Sequence, residues 1–142
     1  MLEILKIALS EYGTKEIPGE EHNPDVLKYS KETGQDWITT DEIPWCSNFV
    51  NWCSMKAGYE YTKKANARSW LNIGEEPFKP QTGDIVILKR GNNPNSGHVG
   101  IFVNFTKKGD KIRILGGNQS NEVNVTSFDV KEVLGFRRLR KL

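Results

Sequence analysis

The stretch Pro44-Trp45-Cys46-Ser47-Asn48-Phe49-Val50-Asn51-Trp52-Cys53 constrains the fold of this chain more than any other. Pro44 suits helix entry, because its fixed φ fits a first turn where its missing N–H is not needed. From Cys46, the residues Phe49, Val50, Cys53 and Ala57 recur at i+3, i+4, i+7 and i+11, one apolar helical stripe, and Gly58 supplies a stop. The pattern predicts a helix with Cys46 in its first turn. Unpaired backbone N–H groups and the positive end of the helix dipole favour a thiolate there, so a depressed thiol pKa is expected. Cysteine is also among the most buried residue types, and Cys53, midway along the stripe, reads as core. A Cys46–Cys53 disulfide is ruled out on a helix: seven residues span roughly 10 Å, against a reach of about 7 Å.

Helical patterns precede strand patterns. Leu2 to Tyr12 reads as an amphipathic helix ended by Gly13. Asn23 caps a second helix that has Pro24 at its first position and runs to Thr33. Ala65 to Ile73 reads as a further short helix. After a linker at Glu75–Pro80, the apolar run Ile85-Val86-Ile87-Leu88 predicts a buried strand. Strands follow at His98–Phe105, Lys111–Leu115, Val123–Phe128 and Val133–Leu139. Helices first and strands later predict an α+β fold on a mostly antiparallel sheet. Nothing in the sequence marks a boundary, so residues 1–142 are read as a single domain.

Charge and cysteine usage narrow the class. The 142 residues carry a formal net charge of +2, too mild and dispersed for a dedicated nucleic-acid binder. Two cysteines make neither a disulfide framework nor a paired zinc motif. Glu3 and Lys6 interrupt the apolar N-terminus, which lacks a basic leader. Synthesis in the cytoplasm without a signal peptide is therefore expected, with external targets reached by another route. No run approaches membrane-spanning length, so no membrane insertion is expected.

The chemistry rests on what accompanies Cys46. In Gly97-His98-Val99-Gly100-Ile101-Phe102-Val103, alternation puts Val99, Ile101 and Val103 on one face and His98, Gly100 and Phe102 on the other. Two flanking glycines would leave open space around the His98 ring, although a surface histidine beside a turn fits the same residues. A three-residue Lys107-Lys108-Gly109 hairpin loop would centre the register on Lys108 and set His98 opposite Asn118. A two-residue Lys108-Gly109 turn would bring Gln119 there instead. Cys46, His98 and Asn118 then supply nucleophile, base and orienter. The backbone N–H of Cys46 is the expected oxyanion donor.

Several motifs together resemble a known family: Ile43-Pro44-Trp45-Cys46, Phe49-Val50-Asn51-Trp52, Ala67-Arg68-Ser69-Trp70-Leu71, Gly83-Asp84-Ile85-Val86, Gly97-His98-Val99-Gly100 and Leu115-Gly116-Gly117-Asn118-Gln119-Ser120. They are similar to CHAP domains and NlpC-type cell-wall peptidases of the papain-like superfamily. The resemblance implies a papain-like fold, its Cys-bearing helix packed on the sheet. It also implies amide hydrolysis in bacterial peptidoglycan, by an amidase or an endopeptidase of the phage-lysin kind. By motif match it assigns catalysis to Cys46, His98 and Asn118, and implies a substrate groove with Trp45, Asn48, Ser69, Trp70 and Gln119. Some CHAP domains carry calcium upstream of the cysteine. Asp36, Asp41 and Glu42 lie there without regular ligand spacing, so no metal or other cofactor is expected. A monomer is expected. Arg137, Arg138, Arg140 and Lys141 read as a solvated C-terminal tail. A wall-binding module without turnover, or a thiol acyltransferase, remains open on the same residues.

Overall fold

The computed structural model describes residues 2–17, 22–35 and 44–142. Three helices open the chain: α1 (Leu2–Ser10), α2 (Pro24–Lys31) and α3 (Cys46–Lys56), followed by a 3-10 helix, Ala67–Asn72. The strands β1 (Ile85–Lys89), β2 (Gly97–Phe105), β3 (Lys111–Gln119), β4 (Glu122–Asp129) and β5 (Val133–Arg137) complete it. They form one antiparallel sheet in the order β4-β3-β2-β1-β5. The α+β expectation holds. As read from the sequence, Asn23 caps α2: its side chain accepts the N–H of Asp25 at 2.8 Å, with Pro24 at the first position.

The sheet separates two apolar layers because strand side chains alternate between its faces. Ile85, Ile87, Val99, Ile101 and Leu115 pack with Ile4 of α1, Tyr29 of α2, Phe49 and Val50 of α3, and Trp70. On the opposite face Val86, Leu88, Phe102, Ile112 and Ile114 form a smaller cluster, covered by Phe128, Val133 and Phe136. Helix α3 is more enclosed than its apolar stripe suggests, since every residue from Cys46 to Ser54 is buried. Two of its polar residues, Ser47 and Asn51, are satisfied by the following loop. Ser47 Oγ donates to the Lys64 carbonyl at 2.6 Å, and Asn51 Nδ2 does the same at 3.0 Å. Asn51 Oδ1 accepts the N–H groups of Thr62 and Lys63 at 2.9 and 3.2 Å. Ser47 Oγ also accepts the indole N–H of Trp70 at 2.9 Å.

The β2–β3 hairpin departs from the expected turn and then returns to the expected register. Thr106 and Lys111 close a four-residue loop, the Thr106 N–H donating to the Lys111 carbonyl at 2.9 Å. Gly109 takes the left-handed conformation there, with φ of 74°. Phe105 then faces Ile112 and Asn104 faces Arg113. A shift between Phe102 and Asn104 restores Phe102 to Ile114 and Ile101 to Leu115, the pairing a Lys108-centred register gives. One irregularity cancels the other before the strand reaches His98.

Arg137 and Arg138 are structural, which corrects the solvated-tail reading for two of the four basic residues. Arg137 donates to the Leu71 carbonyl at 3.0 and 3.3 Å. Arg138 grips the fully buried Asp84 carboxylate through two hydrogen bonds of 3.0 and 2.9 Å. Arg140 reaches Glu75 at 3.3 Å, while Lys141 stays exposed. Removing Arg138 would strand a buried carboxylate, a loss of about 3 kcal/mol.

Candidate active site

Cys46 is the first residue of α3, and the Trp45 carbonyl opens the helix ladder by accepting the Phe49 N–H at 3.0 Å. The thiol is buried, with 4 % of the residue exposed. It meets β2 at the backbone of Val99, the residue after His98, whose N–H donates to the sulfur. Burial pushes the thiol pKa up, against the lowering influence of the Val99 N–H, the Arg90 charge and the Ser47 backbone. The expected depression of the Cys46 pKa is therefore not found. Desolvation outweighs the donors at the helix end, and the resting group is a neutral thiol. Cys53 is fully buried and raised further, burial acting first and the charge of Glu11 second. Both cysteines are free.

His98 is 2 % exposed. Its ring lies beside Phe128, 5.3 Å between centroids, on the sheet face that alternation gave it. Gly100 does not provide the open space expected beside it. At Gly100 a Cβ would run into the Ile114 side chain and sit 3.2 Å from the Leu115 carbonyl, so the missing side chain admits strand β3, not a ligand. His98 Nε2 lies 2.9 Å from Gln119 Oε1. Gln119 is itself held in one orientation. Its amide nitrogen donates to the Ile114 carbonyl at 3.1 Å, the Asn124 carbonyl at 2.8 Å and Asn124 Oδ1 at 3.0 Å. Turning the amide over would face its oxygen toward three acceptors. Gln119 therefore presents oxygen to His98, the ring proton sits on Nε2, and Nδ1 carries the free lone pair. Arg90 Nη2 stands 3.4 Å from that Nδ1. The His98 pKa is lowered to about 4, burial acting first, with Gln119 opposing it and the Arg90 charge adding to it.

Asn118 was expected to orient His98, and Gln119 occupies that place. None of the described hydrogen bonds joins Asn118 to the ring. Asn118 adopts a left-handed conformation, φ 57°, where the β3–β4 register shifts between Gly116 and Gln119. The irregularity advances the chain by one residue and carries Gln119 to the face that regular alternation assigns to Asn118. At Gly117 a Cβ would lie 2.7 Å from the Trp45 ring, so this segment packs directly on the start of α3.

The expected groove residues are largely core. Trp45 and Trp70 are 2 % and 0 % exposed. Their indole N–H groups donate to Glu16 at 3.1 Å and to Ser47. Ser69 bonds Thr62 and the Asn66 carbonyl. Asn48 is buried beside the helix start, its Oδ1 without a partner among the described residues. Pro44, Cys46, Asn66, Arg90, Asn95 and Ser96 line a cavity of about 340 Å³. His98 opens on a second one, about 390 Å³, with Arg90, Phe128 and Glu132. Arg90, Asn66, Asn95 and Ser96 escaped the sequence reading. Turn composition marked Gly91–Gly97 as a loop, but nothing in it pointed toward Cys46. Arg68 fixes that loop, donating to the Ser96 carbonyl at 2.7 Å. Asp36, Asp41 and Glu42, considered for calcium, lie outside the described residues. Among those described, no three His, Cys, Asp or Glu side chains converge on one point.

Residues 38–118, more than half of the chain, match the CHAP domain. The chain belongs to the CHAP family. That family is of the peptidoglycan-hydrolase type, and its members are typically cysteine peptidases. The match contains Cys46 and His98 and stops one residue before Gln119. Among solved structures, the chain is similar to a protein of Staphylococcus aureus subsp. aureus Mu50, described as similar to lipoprotein, NLP/P60 family. The identity is 17 % and the TM-score 0.53, over 99 % of this chain and 41 % of that one. This chain thus spans about two fifths of its neighbour's length, and the likeness establishes a shared papain-like fold. No curated protein matches the chain. No described helix is long and apolar enough to cross a membrane.

Proposed function

We propose that this CHAP domain cleaves an amide bond of a peptidoglycan stem peptide through a thioester on Cys46. The observation that carries the reading is the fixed tautomer of His98: Gln119 holds the ring proton on Nε2, which leaves Nδ1 as the base. His98 Nδ1 takes the thiol proton as Sγ attacks the carbonyl carbon. The tetrahedral intermediate collapses to the thioester, and the same proton leaves with the amine. Water, deprotonated by His98, then releases the acid and restores the thiol. The Cys46 N–H, unpaired within the helix at its first position, is the proposed oxyanion donor. With the thiol and the imidazole both neutral at rest, proton transfer accompanies attack.

In this reading Gln119 replaces Asn118 as the positioning residue. The cavity lined by Cys46, Asn66, Asn95 and Ser96 receives the acyl portion of the peptide. Amidase and endopeptidase chemistry place the same groups around the same bond type. Digestion of purified peptidoglycan, with mass analysis of the fragments, tests the proposal. Fragments from the wild type and none from Cys46→Ala are expected, and their masses identify the bond. Equal products from both proteins, or none from either across several wall chemotypes, would overturn it.

A further inference from the structure

Arg90 is the one described residue that lines both cavities, the one holding Cys46 and the one holding His98. It follows β1 on the surface and is exposed. Its guanidinium meets the site at His98 Nδ1, 3.4 Å away, an uncharged partner. Among the described residues no carboxylate lies within ion-pair distance of it. The other arginines have protein partners: Arg68 on Ser96, Arg113 on Asn104, Arg137 on Leu71, Arg138 on Asp84 and Arg140 on Glu75. Glu132 lines the His98 cavity, but no described residue lining the Cys46 cavity is a carboxylate, and a planar, permanently charged fork on that wall suits bidentate binding of one. Its present position also occupies the lone pair that the mechanism requires.

We propose that Arg90 is the specificity residue of the site: it binds a peptide carboxylate next to the scissile amide and, in turning onto it, frees His98 Nδ1 to take the Cys46 proton. The substrate class is a peptide with a free carboxylate close to the bond cleaved. The inference rests on the thiol-hydrolase reading for its role in turnover, and on Arg90 alone for anion recognition. Asn95 and Ser96, on the same cavity wall, are the neutral neighbours of the bound group.

Two small alkylating reagents of the same shape test it without requiring turnover. Iodoacetate carries a carboxylate and iodoacetamide does not. The rate ratio of iodoacetate to iodoacetamide at Cys46, read by peptide mass spectrometry, is expected to fall about tenfold in Arg90→Gln, the size of effect a charge lining a cleft has on capture of a small anion. Arg90→Lys is expected to retain most of the selectivity, because it keeps the charge. A ratio within about twofold of wild type in Arg90→Gln overturns the proposal, as does a wild-type thiol that iodoacetate never labels. Arg90-dependent selectivity in a protein that leaves peptidoglycan intact supports anion recognition and overturns the hydrolase reading instead.

Discussion

In the proposed mechanism, the part His98 plays depends on which of its nitrogens bears the proton. Burial, the Gln119 carbonyl oxygen and the Arg90 guanidinium set that state from three directions, and Glu132 is the acid lining the same cavity. The cost of charging the ring is linked to stability. The folded pKa of about 4 lies below the ordinary histidine value of about 6.5, so between those values the unfolded chain binds a proton that the folded chain does not. The contribution is present above pH 6.5 and is lost as pH falls toward 4, reaching about 3 kcal/mol. Denaturant midpoints of wild type and His98→Gln across pH 7 to 4 check this. The wild type is expected to lose stability faster than the variant through that window. Parallel curves would show that the ring is not held neutral.

At the scale of elements, two irregularities decide the site. The hairpin loop is one residue longer than the expected Lys107-Lys108-Gly109 turn, and the shift between Phe102 and Asn104 compensates for it. The second shift, at Asn118, has no compensation, and it exchanges Asn118 for Gln119 beside His98. Sequence reading placed both strands and the histidine face correctly, because period-two alternation is robust. It preferred Asn118 to Gln119 because regular alternation carries no sign of a bulge; asparagine tolerates positive φ, but its presence alone does not show that the chain takes it there. The pair separates experimentally. Gln119→Ala is expected to lower kcat by about a hundredfold, the usual share of an oriented general base. Asn118→Gly keeps the left-handed backbone and is expected to leave kcat near wild type. The opposite order would return the orienting role to Asn118.

For the whole molecule, the helix–strand order, the antiparallel sheet and the first-turn cysteine were legible from apolar periodicity alone. Long-range packing was not. Trp45 and Trp70 carry the chemistry of groove residues, yet the enclosure of α3 from Cys46 to Ser54 draws both into the core. Arg138 sits in a run that reads as a basic tail, but its partner Asp84 is 54 positions away in sequence. The thiol expected to be acidic is neutral for the same reason: the body of the protein desolvates it. These parts leave a buried thiol at a helix start, one residue along β2 from a neutral base. The central claim is that Cys46 carries the acyl group. Rapid acid quench of the wild type during peptidoglycan digestion, followed by intact-protein and peptide mass spectrometry, tests it most directly. The expected result is a hydroxylamine-labile mass increment on the peptide containing Cys46, equal to the acyl fragment and absent from Cys46→Ala. Peptidoglycan turnover with no increment at Cys46 at any quench time, or an increment on another residue, would contradict it.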